Sequence, residues 1–167
     1  MGLSMEFNFY IFEKPECNLS INKMAIWFGE TEFEGDKNNG SVIFHSKNKF
    51  DEIWGPDSTI ELNWEKKARE KLFYYKEVES CIETYNAIGL VVTKKERDWL
   101  MSHEITFWYG HRRKMIRKRY YIERVIHGIF FCEISERLIN IHSAVIESMY
   151  ESYKPSLLKT FNSLECH

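Results

Sequence analysis

Hydrophobic and polar positions alternate along the first sixty residues. Phe7, Phe9 and Ile11 fall on one parity and Asn8, Tyr10 and Phe12 on the other, the period-two signature of a strand. Pro15 closes that run, and Met24, Ile26 and Phe28 begin another. The polar stretch Gly35–Gly40, ending in Asn39-Gly40, reads as a turn. It leads into Ser41–His45, where Val42 and Phe44 share a face. A further short strand follows Gly55-Pro56, near Thr59–Leu62. Residues 1–62 are therefore expected to form an antiparallel meander of three to four strands.

From Asn63 the spacing changes. Trp64, Ala68, Leu72, Tyr75, Val78, Ile82 and Tyr85 recur every three or four residues, as on an amphipathic helix capped by Asn63. Gly89 ends it. Thr93 with Glu96 reads as a capping box for a helix carrying Trp99, Leu100, His103 and Phe107. After Gly110, residues 111–128 read as a basic helix. Ile134, Leu138, Ile141, Val145 and Met149 then mark a last helix over about 129–152, with Pro155 at its exit. The expectation is a single α+β domain over 1–167. In it the meander (1–62) packs against three to four helices (63–153), with a tail at 154–167.

The 167 residues are 44% hydrophobic and 16% aromatic, which suits a globular chain with an aromatic core. No apolar run is long enough to span a membrane, and the start lacks a signal-peptide pattern. Cys17, Cys81, Cys132 and Cys166 are dispersed with no CxxC pair, so neither a zinc knuckle nor a redox dithiol is expected. The expected setting is a cytoplasm with reduced thiols, with no cofactor and no metal.

Charge is segregated although the chain's net charge is only -2. The run Gly110–Arg124 holds seven Lys or Arg in fifteen residues. On a helix, Arg113, Lys114, Arg117, Tyr121 and Arg124 share the side away from the apolar stripe, a candidate anion-binding face. Near the front, Glu30, Glu32, Glu34 and Asp36 are spaced by two and point one way on a strand. That row is either an edge guarded by charge or a surface for a cationic partner.

No intact catalytic motif is present. His103-Glu104-Ile105-Thr106-Phe107 begins like HExxH, but Phe107 replaces the second zinc-binding His. Arg137 through His142 form an R-x4-H pattern similar to the signature of HEPN-type ribonuclease domains. That resemblance implies RNA cleavage at a dimer interface, with Arg137 steadying phosphate charge and His142 acting in proton transfer or positioning. On a helix, a spacing of five sets the two side chains about 140° apart.

The leading expectation is a non-catalytic binding protein that recognises a charged macromolecule, foremost another protein. In size and habit the chain resembles the inhibitors and immunity proteins that neutralise bacterial toxins. The alternative is nucleic-acid binding with HEPN-like cleavage by Arg137 and His142. A third reading is a homodimer in which the acidic row of one copy meets the basic segment of another.

Overall fold

The structure is a computed structural model that describes residues 8–51, 55–68, 74–100 and 103–167. Its elements run in the order β1 (Phe9–Lys14), a 3-10 turn (Pro15–Cys17), β2 (Leu19–Ala25), β3 (Phe28–Gly35), β4 (Asn39–Ser46), β5 (Lys49–Asp51), β6 (Gly55–Pro56) and β7 (Ser58–Lys66). The second half holds α1 (Tyr74–Ala87), β8 (Val91–Leu100), β9 (His103–Ile116), β10 (Arg119–Cys132), β11 (Arg137–Ile146), α2 (Glu147–Phe161) and β12 (Leu164–Glu165).

Seven strands form one antiparallel sheet in the order β3-β4-β7-β11-β10-β9-β8. A three-stranded sheet, β1-β2-β12, ties the front of the chain to residues 164–165. The inner face of the large sheet packs against α2 and the small sheet. Phe44, Leu62, Ile126, Phe130 and Ile141 meet Ile21, Leu157 and Phe161 in one buried core. Phe12 of the small sheet sits edge-on to Phe44, with ring centroids 4.8 Å apart. On the outer face, Val78 of α1 seals a smaller cluster with Trp108, Ile129 and Leu138.

The expected architecture of three to four C-terminal helices is overturned. Among the described residues, only α1 and α2 are α-helices, and 91–146 is almost entirely strand. The reason is burial on both faces. Val125 to Phe130 lies between α1 and α2 and is buried at every position, so polar alternation vanishes and the strand reads as a continuous apolar run. The expected basic helix over 111–128 is a hairpin of β9 and β10. The supposed exit at Pro155 lies inside α2, and the supposed tail contains the last two turns of that helix and β12. The stripe read from Trp64 is strand to Lys66 and helix from Tyr74; its Leu72 lies outside the described residues, as does Phe7 of the first strand.

The single meander expected over 1–62 is overturned as well: β1 and β2 pair with β12 in the small sheet, β3, β4 and β7 belong to the large one, and β5 pairs with β6. The β3–β4 hairpin forms, although its turn sits at Asp36–Asn38, just before Asn39-Gly40. Asp36 Oδ1 accepts the backbone N–H groups of Asn38 (2.7 Å) and Asn39 (3.1 Å). Gly40 is needed for a different reason: a Cβ there would lie 2.4 Å from the Trp64 ring, which is its register partner on β7.

Candidate functional site

The basic run forms the tip of the β9–β10 hairpin. β8 accompanies β9 as far as His111, and β11 accompanies β10 from Glu123 onward. Arg113–Ile116 and Arg119–Ile122 pair only with each other. They form a two-stranded arm that extends beyond both neighbours by about 15 Å, at roughly 3.4 Å per residue. The turn residues Arg117 and Lys118 both have positive φ, 46° and 63°. This is the left-handed geometry that two-residue hairpins need and usually obtain from Asn-Gly. Two cations at these positions cost about 1 kcal/mol each relative to glycine, so the tip gives up stability to display charge.

Strand alternation divides the arm into two sides. One side carries Arg112, Lys114, Tyr121 and Glu123. Glu123 is 5% exposed and receives Arg112 Nε on one carboxylate oxygen and Lys114 Nζ on the other at 2.9 Å. The other side carries Arg113, Met115, Tyr120 and Ile122. The Arg113 guanidinium lies over the Tyr120 ring, 5.0 Å from its centroid. Met115, Tyr120 and Ile122 are 63%, 64% and 37% exposed. Arg124, at the root, pairs with Glu147 at 3.5 Å and covers the Tyr150 ring. Of the cations expected to bind anions, Lys114 and Arg124 are thus engaged internally, while Arg113 and Arg117 are exposed, as is Lys118 beside them.

The acidic row is on β3, an edge strand of the large sheet. Glu30, Glu32 and Glu34 are exposed on the outer face, across from His45, Ile43 and Ser41 of β4. His45 Nε2 stands 3.4 Å from Glu32 Oε1. Asp36 leaves the row to close the turn, and the two backbone N–H groups it accepts hold its carboxyl below the usual carboxylate range. The acidic row and the cationic arm do not share a strand or a hairpin.

Arg137 and His142 are separated by the strand that carries them. On β11, positions of opposite parity point to opposite faces. Arg137 is buried on the inner face, where Nη1 donates to Cys17 O (2.6 Å) and Lys37 O (3.2 Å). Its Nη2 donates to Asn18 O (2.9 Å) and Cys166 O (2.7 Å). It clamps backbone from three parts of the chain. His142 lies on the outer face under α1, its ring stacked on Tyr85 with centroids 5.3 Å apart. The HEPN-like pairing, which assumed a helix, is thereby corrected.

Tyr85, His127 and His142 form a network that sequence reasoning missed. Tyr85 Oη lies 3.0 Å from His127 Nδ1 and 2.9 Å from His142 Nδ1. His127 Nε2 meets Asn140 Oδ1 at 3.0 Å, and Trp108 stacks on the His127 ring at 4.2 Å. All contacts close if His127 donates from Nε2 to Asn140, Tyr85 donates to His127 Nδ1, and His142 Nδ1–H donates to Tyr85. Burial pulls both imidazoles down, His127 to about 3 and His142 to about 4. Both are neutral near pH 7, which suits a buried polar tie and not proton exchange with a substrate.

At one end of the large sheet a second cluster forms from residues the sequence disperses. His103 opens β9, Cys132 closes β10, and Cys166 and His167 follow β12. Cys132 Sγ is 3.4 Å from His167 Nδ1, while Cys166 Sγ is 3.4 Å from His103 Nε2 and 3.5 Å from His167 Nδ1. All four ligand-type atoms lie within 4.8 Å of one another. The Cys132 thiol is held at about 4, first by its hydrogen bond with Cys166 and then by Ser135 and His167, while the same bond pushes Cys166 up.

The fold is similar to that of two solved structures. The chain superposes on cyanobacterial PsbP (CyanoP) from Synechocystis with a TM-score of 0.64, covering 100% of this chain and 97% of that one at 8% identity. It also superposes on a Pseudomonas aeruginosa protein of unknown function, described as a candidate regulator, with a TM-score of 0.55, 92% and 94% coverage and 9% identity. At such identities the likeness defines the fold alone. No family model and no curated relative matches the sequence. Among the described residues, no helix is long and apolar enough to cross a membrane.

Proposed function

We propose that this is a binding protein that docks an acidic protein partner through the β9–β10 arm. The observation that carries the reading is the arm's composition and placement. It stands clear of both neighbouring strands and mixes exposed Arg113, Arg117 and Lys118 with exposed Met115, Tyr120 and Ile122. Arg, Tyr and Met are the residues enriched in the cores of protein interfaces. A surface that met only phosphate backbone would have no use for the apolar side chains. Complementary charge would speed encounter, and the apolar strip would set lifetime.

The reading extends to an inhibitor- or immunity-type role in the cytoplasm, in which the arm covers the partner's working surface. The acidic row Glu30, Glu32 and Glu34 is a second, separate surface in this reading, suited to a cationic region of the same partner or of another copy of the chain.

The test is capture from host extract by the full chain and by a double variant, Arg117→Asn with Lys118→Gly. This variant keeps the hairpin and relieves its turn while removing both tip charges. The reading expects capture to fall at least about tenfold, the scale of one interface anchor, with the fold intact by circular dichroism. Nuclease treatment should leave wild-type capture unchanged. Capture that disappears with nuclease transfers the arm to nucleic acid, and capture indifferent to the double variant removes the arm from recognition.

A further inference from the structure

We propose that His103, Cys132, Cys166 and His167 form a structural zinc site that fastens the segment after β12 to the end of the large sheet. The donor set is two sulfurs and two imidazole nitrogens, which in tetrahedral array selects Zn2+ among common metals. Zn–S bonds of about 2.3 Å and Zn–N bonds of about 2.0–2.1 Å place sulfur and nitrogen about 3.5 Å apart along each tetrahedral edge. Three of the four sulfur–nitrogen separations in this cluster are 3.4, 3.4 and 3.5 Å, and the fourth, Cys132 to His103, lies within 4.8 Å. Three separate segments, at His103, Cys132 and the adjacent pair Cys166-His167, converge on one point although they are far apart in sequence.

The surroundings fit a closed, structural site. His103, Cys132 and Cys166 are buried, and only His167 is exposed, giving the ion an entry side and no spare coordination position once four ligands are bound. The His103 ring is fixed by stacking on Phe130, with centroids 5.2 Å apart. The Cys166 backbone is fixed independently, because its carbonyl accepts Arg137 Nη2 at 2.7 Å. Both ends of the cluster are thus oriented by groups that are not ligands, the arrangement that keeps metal sites specific. Zinc would take both sulfurs as thiolates, releasing their protons to solvent, and both imidazoles as neutral ligands, so two negative charges would balance the dication.

The mechanical result is a cross-link between sheets. His103 and Cys132 belong to the large sheet, and Cys166 and His167 continue from β12, the strand that pairs with β2 in the small sheet. This inference is independent of the arm and of any partner.

The experiment uses the full chain purified with zinc present and without chelator. Elemental analysis should find one zinc per chain. After chelation, Co2+ loaded in place of zinc should give a tetrahedral d–d spectrum with a thiolate-to-cobalt charge-transfer band. Cys132→Ser and Cys166→Ser should each abolish both signals, while Cys81→Ser, on α1, should keep them. Should the buried Ser variants fail to fold, His167→Ala removes an exposed ligand, and its zinc affinity should fall by more than the roughly tenfold loss that even an outer partner produces. Chelation should lower the melting temperature of wild type and not that of the Cys132→Ser chain. Folded protein without bound zinc, a Cys132–Cys166 disulfide in freshly purified material, or zinc retained by His167→Ala with unchanged affinity would each overturn the site.

Discussion

Glu123 and Arg112 face each other across the β9–β10 ladder, with the carboxylate buried and the guanidinium Nε bonded to it. Lys114, two residues nearer the tip, closes on the other oxygen at 2.9 Å. The pair sits where the arm leaves the sheet, so it fixes the arm's root while the tip remains exposed.

Glu123→Gln keeps the shape and removes the charge. Two charge-assisted bonds weaken together, and the expected loss is about 1–3 kcal/mol of unfolding free energy, read from urea denaturation. Backbone amides of Arg112–Ile122 should exchange faster with solvent while those of β11 keep their protection. An unchanged urea midpoint would show that the buried carboxylate adds nothing to the arm's support.

Arg137→Met fills much of the same volume and leaves the carbonyls of Cys17, Asn18, Lys37 and Cys166 without their donor. Each orphaned buried acceptor costs about 1–3 kcal/mol unless water reaches it. The expected destabilisation is therefore about 3 kcal/mol or more. Arg137→Lys should also destabilise, because an ammonium cannot reach four acceptors in the planar fan of a guanidinium. A midpoint within error of wild type in both variants would contradict the clamp.

The paired imidazoles predict sensitivity to acid. His127 and His142 have folded-state values of about 3 and about 4, below the ordinary value of about 6.5. Between those values the unfolded chain binds protons that the folded chain refuses, so stability falls as pH drops. Their support is complete above about pH 6.5 and is lost progressively toward pH 4, at up to about 1.4 kcal/mol per pH unit for each group. Melting curves from pH 7 to pH 4 should show the slope, and His142→Gln should flatten it. A wild-type curve flat across this window would mean that the imidazoles titrate normally.

The β3–β4 hairpin was legible because β4 has one buried and one wetter face, whereas nothing local showed that β1 and β2 belong to a separate sheet with β12. Val42 and Phe44 point to the core while Ser41, Ile43 and His45 do not, and the period of two survives. The middle was not legible because α1 and α2 cover both faces of β10, leaving Val125–Phe130 without a polar alternate. The hairpin was hidden by its turn: Arg117-Lys118 adopts a left-handed geometry with no glycine or asparagine to announce it.

The same split holds for the sites. The excess of charge in residues 110–124 is a property of composition, so it survived the wrong secondary structure and still marked the arm. Its partition did not survive, because which cations Glu123 neutralises depends on strand register. Nothing in spacing foretold that His103, Cys132, Cys166 and His167 meet, since CxxC-type reasoning sees only neighbours along the chain. The adjacency of Cys166 and His167 was the one local hint. The R-x4-H pattern was misleading for the opposite reason, a short local motif whose meaning depends on helical geometry that the chain does not adopt.

The small sheet has a consequence for how the molecule acquires its shape. Asn22 of β2 meets Glu165 of β12 across a sequence separation of 143 residues, and Arg137 reaches Cys17 across 120. Contacts this remote slow a folding reaction, because the chain must close very large loops before any reward arrives. A ribosome-bound chain can assemble the β9–β10–β11 meander early, yet β2 must wait, one flank unpaired, until residue 165 has emerged.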